Sequence, residues 1–340
     1  MTASYTCASV LADERAGAAA HIRLIHRRGP MPNSAARARS WLPGFLVLAA
    51  GLLDAMPAVA GDPRSAAERG TSTVIEDAYF DSPALRRPLG YALYLPPGYD
   101  GAGAALPVIY LLHGVGGDRH DWLRYGRLRE TADRLIAERA IPPAIVAMPD
   151  GAVGWWVDSG DVGGPGNYDA AVDRDLVGEI ERRYSVRSDP GGRAVGGLSM
   201  GAYGALRFAL RPPQRYAAAV GLSPALWLRI APDTPADDRL QRVFRGAFGS
   251  PFRADRFRAL NPEALIDAMA RETAKPSIFL MAGSRDFPSL RQDTEQFSEH
   301  LGRAGFSIRY QTFDGGHDWQ LWAAALPEAL RFLGGAFKAR

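Results

Sequence analysis

Residues 196–206, GGLSMGAYGAL, decide how the rest of this chain is read. Their centre, Gly197-Leu198-Ser199-Met200-Gly201, fits G-x-S-x-G, the pattern of a serine carried on a sharp turn from a strand into a helix. With 37 glycines in 340 residues, such a match is cheap, and its surroundings must decide. Apolar Ala194-Val195 leads in, and the helix-forming run GAYGALRFAL leads out. The backbone of such a turn is strained and the helix starts at once, so small residues are needed around the serine. Packing alone accounts for Gly201, Ala202, Gly204 and Ala205, but not for the serine they surround.

Outward from this stretch, apolar runs bounded by Gly and Pro alternate with helical patterns from residue 72 onward. That alternation predicts strand–helix units around a mostly parallel sheet. Strands are expected near 72–79, 89–95, 108–112, 144–148, 194–197, 217–222, 277–282 and 308–313, and helices near 121–140, 168–183, 201–211, 289–304 and 319–336. The first two strands alternate polar and apolar residues and can pair antiparallel. VIYLL and SIFLMA are continuously apolar, as strands covered on both faces must be. Eight strands in this order predict the α/β-hydrolase fold, a single catalytic domain over 61–340 whose fifth strand delivers the nucleophile. Residues 225–270 break the alternation with Trp227, Phe244, Phe248 and Phe252 among charges. They are expected to form a short cap-like insertion or one wall of the pocket.

A serine hydroxyl is a weak nucleophile near neutral pH, so a base must take its proton and an acid must orient that base. Beyond residue 60 the histidines are His113, His120, His300 and His317. His300 belongs to a long polar helix and is expected to be solvated. His120, in GGDRHDW, is expected where a helix begins, capped by Asp118 or Asp121. His317 lies in a glycine loop, FDGGHDW, between the last strand and the last helix, where this fold holds its base. For the orienting acid the candidates are Asp286, Asp293, Asp314 and Asp318. Asp314 and Asp318 are too near His317 in sequence to reach its ring without a contorted loop. Asp286 follows PSIFLMAGSRD and falls just past a buried strand, in the same crevice as Ser199 and His317. Two backbone N–H groups should hold the oxyanion: that of Met200, at a helix N-terminus, and that of Val115 in the loop His113-Gly114-Val115-Gly116-Gly117. The glycines of that loop lack the Lys-Ser/Thr pair or the G-x-G-x-x-G spacing of a phosphate cradle.

Charge excludes one class of partner. Residues 1–60 hold six arginines against three acids, which is the whole net charge of +3, and the rest of the chain balances 34 basic with 34 acidic groups. A neutral body without a basic run gives no case for nucleic acid. From Met31, Arg37 and Arg39 precede an apolar stretch from Trp41 to Leu53 and then Ala58-Val59-Ala60, the order of a secretory signal. Asp54 ends the apolar run well short of the roughly 20 residues of a spanning helix. The expectation is a start at Met31, cleavage near Ala60 and export to the periplasm or medium, with no membrane span afterwards. The single cysteine, Cys7, precedes that cut, so the exported chain would have no disulfide and no thiolate site. No His and carboxylate cluster at metal spacing is present in the sequence, and no metal or organic cofactor is implied.

The motifs YLPPGYD, LLHGVGGD, MPDG with WWVDS, GLSMGAYGAL, AGSRD and GGHDWQLW occur in that order. Together, over about residues 72–335, they resemble the putative-esterase family of α/β-hydrolases. That family includes esterase D (S-formylglutathione hydrolase), feruloyl and acetylxylan esterases, tributyrin-type esterases and the mycolyltransferases. The resemblance implies Ser199 as nucleophile, His317 as base and Asp286 as acid, agreeing with the reading of the residues, and places Val115 and Met200 at the oxyanion positions. Mycolyltransferases of the family tend to have Asp-Gly where this chain has His113-Gly114, and a glutamate where it has Asp286, so acyl transfer to a sugar is the lesser alternative. Esterase D enzymes act in the cytoplasm on a glutathione thioester, whereas this chain is expected to be exported. The expectation is an exported serine carboxylesterase acting on a small-molecule or saccharide-linked acyl ester; a non-catalytic carbohydrate binder on the same scaffold is the remaining alternative. Trp155 and Trp156 are expected either to line the acyl or sugar side of the site or to be buried structural residues. Trp319 and Trp322, at i, i+3, are expected in the core.

Overall fold

A computed structural model describes residues 70–337; the expected signal segment, its cleavage point at Ala60 and Cys7 lie outside them. Eight strands form one sheet: β1 (Thr73–Ser82), β2 (Arg87–Leu95), β3 (Val108–Leu112), β4 (Ile145–Pro149), β5 (Arg193–Leu198), β6 (Ala218–Leu222), β7 (Ser277–Gly283) and β8 (Ile308–Phe313). Their order across the sheet is β1-β2-β4-β3-β5-β6-β7-β8. The first two strands do pair antiparallel, β2 is antiparallel to β4 as well, and β3 to β8 run parallel. This is the mostly parallel sheet of the α/β-hydrolase fold. The chain leaves β3 toward β4 on one side and returns to β5 on the other, which opens a crevice at the carboxyl ends of β3 and β5.

Every residue of β3, β4, β5 and β6 is buried. Two faces account for this. Val108, Tyr110 and Leu112 of β3 point into one apolar layer with Val195, while Ile109 and Leu111 point into the other with Ala194 and Leu198. The first layer is covered by α2, α3 (Met200–Ala209) and α6 (Pro288–Arg303); the second by α1 (Leu128–Ala137) and α7 (Trp319–Ala336). Here α2 is the run Tyr168–Ala170, Ala171–Leu176 and Val177–Arg183, whose middle six residues are π-helical. None of the described helices is long and apolar enough to cross a membrane.

One expectation changes, and another gains detail. The helix expected over 121–140 breaks into a turn, Asp121–Arg124, and α1, with Arg127 left-handed at φ 54° between them. Gly126 lies so close to Trp122 that a Cβ there would stand 2.6 Å from the Trp122 carbonyl oxygen, which fixes the break. The stretch 225–270 contributes α4 (Asp238–Phe244), α5 (Ala254–Leu260) and shorter turns between β6 and β7. Its Phe244, Phe248, Phe252 and Phe257 are all buried and join Trp155 and Tyr203 in the first layer, with Trp155 and Phe244 ring centroids 4.8 Å apart. Aromatic side chains bury the most area per residue, so the insertion is anchored by the main core.

Candidate active site

Ser199 stands between β5 and α3 with φ 51° and ψ −116°, a conformation a non-glycine residue holds only when its surroundings impose it. Three backbone bonds do so. Its N–H donates to the Leu222 carbonyl of β6 at 2.9 Å, and its carbonyl accepts from Tyr203 at 3.1 Å and Ala225 at 3.2 Å. The small neighbours are required by close approach. A Cβ at Gly197 would stand 2.3 Å from the Gly201 carbonyl carbon, and one at Gly201 would stand 2.2 Å from the Leu112 carbonyl oxygen, because the first turn of α3 crosses the end of β3.

Around that serine the chain brings three candidate residues together. The Ser199 hydroxyl lies 3.0 Å from His317 Nε2, and His317 Nδ1 lies 2.8 Å from Asp286 Oδ1. The side chains of His317 and Asp286 are 3% and 0% exposed, so water does not screen the pair. Burial pushes the Asp286 carboxyl up, but hydrogen bonds with His317, Ser223 and the Phe287 N–H, together with the His317 charge, outweigh it and hold the carboxyl below its ordinary value. A carboxylate on Nδ1 fixes the tautomer in which Nε2 is the acceptor facing the serine hydroxyl.

The other candidates have other partners. Asp314 accepts from Ser284 Oγ at 2.9 Å and pairs with Arg285. Asp318 caps α7 by accepting the Leu321 N–H at 3.0 Å, and buried Asp293 accepts the Leu228 N–H at 3.0 Å. His300 is half-buried, 3.7 Å from Asp267 and 3.8 Å from Glu263. His120 does open a helical turn, but without a side-chain cap on it; Asp118 accepts the N–H of His120 itself at 2.8 Å.

The loop after β3 closes over the serine. A Cβ at Gly114 would stand 2.7 Å from Leu198 and 3.5 Å from Ser199 Cβ, and the Gly117 N–H donates to the Gly114 carbonyl at 3.1 Å, forming a turn through Val115. Met200 is the first residue of α3, where N–H groups have no partner within the helix. Gly114, beside Val115, and Met200 therefore approach Ser199 from the ends of β3 and β5.

Trp155 and Trp156 do not line an open site. They are 1% and 0% exposed, and they pack inward: Trp155 against Tyr203 and the phenylalanines of the insertion, Trp156 against His113, Gly151 and Gly204. Of the two expectations for this pair, substrate lining is therefore replaced by the structural one. A tryptophan dipeptide signals bulk, and bulk alone does not tell a wall from a core. Among the described residues no group of three or more His, Cys, Asp or Glu is placed to hold a metal ion.

Comparison with known proteins is decided by a family profile described as "Putative esterase", which matches residues 82–333. The chain belongs to this esterase family. It is thus a hydrolase of the carboxylesterase kind. An acetyl esterase of Caldicellulosiruptor saccharolyticus is 27% identical over 237 residues, which is 67% of this chain and 83% of that one. An esterase of Mycobacterium tuberculosis (strain ATCC 25618 / H37Rv) is 29% identical over 257 residues, but this chain spans only about half of it, 54%. A solved structure of a ferulic acid esterase is similar with a TM-score of 0.64 and 25% identity, over 78% of this chain and 99% of that one.

Within this esterase, three neighbours of the site were not legible as such in the sequence. His113 is buried and accepts the Gly151 N–H on Nε2 at 2.8 Å, tying the loop after β3 to the loop after β4. Phe287 and Trp322 pack on the His317 imidazole with centroids 5.3 and 4.9 Å away. Phe287 follows Asp286 directly, which is a signal of a kind. Trp322 read as core, and it is 4% exposed, but one edge of that core is the imidazole.

Proposed function

We propose that this esterase cleaves carboxylic esters by a two-step reaction carried by Ser199, His317 and Asp286. The observation that carries it is the single imidazole bridging the hydroxyl at 3.0 Å and the carboxylate at 2.8 Å. His317 Nε2 takes the hydroxyl proton as Ser199 Oγ bonds to the ester carbonyl carbon. The resulting oxyanion receives the N–H groups of Val115 and Met200. Collapse expels the alcohol, to which His317 returns the proton, and leaves Ser199 acylated. Water, deprotonated by His317, repeats the sequence and frees the acid. The substrate class is a small-molecule or saccharide-linked acyl ester; the acetyl and ferulic acid esterases among its relatives support a short or aromatic acyl group. The purified protein should hydrolyse chromogenic acetate or butyrate esters, and Ser199→Ala should lose at least about a thousandfold in kcat. Equal rates in the two proteins would refute the assignment.

The sequence from Met31 to Ala60 supports a second element of the proposal, that this activity is exported. Protein recovered from the periplasm or medium of a producing cell should begin at Gly61. Recovery of uncleaved chain from the cytoplasm alone would overturn it.

A further inference from the structure

Ser223 follows β6 directly, and its backbone is held at φ 48°. Its N–H donates to the Met281 carbonyl of β7 at 2.7 Å, and the residue is 0% exposed. At such a φ glycine would sit without strain, so a serine here calls for a reason in its hydroxyl. The Ser223 oxygen accepts the indole N–H of Trp322 at 3.2 Å. With the oxygen occupied as an acceptor, its own proton is left for another neighbour. The Asp286 carboxylate, five residues beyond the Met281 that holds the Ser223 backbone, feels that hydroxyl and is helped by it below its ordinary value. Asp286 Oδ1 already receives His317 at 2.8 Å and the Phe287 N–H at 2.9 Å, while Oδ2 receives the Gly283 N–H at 3.5 Å, a long contact. The charged side chains nearest in sequence are directed elsewhere: Arg285 to Asp314, and Arg291 to the Ser284 carbonyl. Meanwhile the Trp322 ring that orients Ser223 stands at 86° to the His317 imidazole.

We propose that Ser223 and Trp322 are positioning residues of the active site: Trp322 donates its indole N–H to Ser223 Oγ, Ser223 donates its hydroxyl to Asp286, and the Trp322 ring braces His317. One tryptophan of the last helix would then hold both partners of the acid–base pair, the imidazole by packing and the carboxylate by relay. The inference rests on the proposed roles of Ser199, His317 and Asp286. Without the relay the carboxylate is free to turn about its Cβ–Cγ bond, and the His317 hydrogen bond is made for a smaller share of the time.

Ser223→Gly removes the hydroxyl in a backbone conformation that glycine accepts, and Trp322→Phe keeps an aromatic ring but removes the N–H. Each should lower kcat for a chromogenic ester about tenfold, the size of a lost hydrogen bond to a charged group, with KM unchanged. The acid limb of the kcat/KM profile should move up by about half a pH unit, because a carboxylate with one donor fewer favours the imidazolium more. The double variant should lose little more than either single one, since both cut one chain of hydrogen bonds. A fall in kcat with the acid limb unmoved would mean packing alone and overturn the relay, as would fully additive losses or no loss at all. Ser199→Ala, run alongside, separates the two readings: if it stays active the proposed function fails, and if it is inactive while Ser223→Gly matches the parent protein, only the relay fails.

Discussion

His113 follows β3 and His317 follows β8; both imidazoles are buried, and both ring nitrogens of each are engaged. The difference lies in their partners. His113 Nε2 accepts the Gly151 N–H at 2.8 Å, so its proton sits on Nδ1 and faces the Gly114 carbonyl, also at 2.8 Å. Both partners are backbone, and neither can give up or accept a proton. Burial lowers the proton affinity of His113, and the Gly114 carbonyl with the more distant Asp150 and Asp118 does not restore it. A second proton on that ring would also point a donor at the Gly151 N–H. His317 has a carboxylate on one nitrogen and a hydroxyl on the other, partners whose own protons can move. Burial of a histidine therefore does not by itself make a base; one of these rings is a latch across two loops, and the other bridges a hydroxyl and a carboxylate, the geometry that the proposed proton transfer needs.

The largest expected effect breaks the comparison on the His317 side. His317→Ala, or Asp286→Asn, which favours the wrong imidazole tautomer, should each lower kcat by about 10^4, and the double variant should be little worse than either, because the residues act as a unit. Retention of a tenth of the parent rate in His317→Ala would place the base elsewhere. On the His113 side the first support to remove is Trp156, 0% exposed, with its ring centroid 5.1 Å from the His113 ring. Trp156→Ala should cost about 3–5 kcal/mol of stability, read by urea unfolding. With no exposed surface for a substrate to touch, its KM for a short ester should stay near the parent value. A large rise in KM on an otherwise stable protein would restore this tryptophan to the substrate site.

Altering the latch itself is a smaller step. His113→Gln removes the imidazole that accepts the Gly151 N–H and leaves that buried donor without its partner, a loss of about 1–3 kcal/mol. Because the loop it holds carries the Val115 N–H, kcat should fall by about 10- to 100-fold, less than for His317→Ala. Thermal melts and kcat on the same preparations would show whether the latch acts on stability, on the oxyanion or on both.

The two histidines also show what the sequence could disclose. Strand edges were legible because continuous apolar runs such as VIYLL bounded by polar residues have one stable place in a covered parallel sheet, and β3, β8 and α7 fall where the pattern puts them. Ser199, Asp286 and His317 were legible by position, each at the carboxyl end of a strand. His113 was legible only as part of a glycine loop, since its role depends on Gly151, 38 residues away and on a different strand. Trp155 and Trp156 were open to two readings because a large ring is useful both in a core and on a cleft wall. Trp227, Phe244, Phe248 and Phe252 marked an interruption of the pattern, but the packing of Phe244 and Phe248 on Trp155, and of Phe248 on Tyr203, is a long-range fact that no local period encodes.

The smallest effect expected sharpens the comparison through pH. In the fold, burial holds the proton affinity of His113 below its ordinary value of 6.5, so the unfolded chain binds that proton more tightly. The stabilisation from a neutral His113 is therefore whole above pH 6.5 and is lost as the pH falls below it. Asp286 is held below its ordinary 3.8, so its contribution is whole above pH 3.8 and is lost only as the pH falls further. The two groups titrate in separate windows, and between about pH 4 and 6.5 the decline belongs to His113. Asp121, which burial and neighbouring Asp118 push up to about 6, gives the opposite slope in that window, but it is common to parent and variant and cancels in their difference. His113→Asn should therefore melt lower than the parent protein at pH 7.5 and converge on it by a few degrees as the pH is lowered toward 4. Parallel melting curves across that range would show that His113 is not held neutral by the fold, and the contrast with His317 would then have to rest on geometry alone.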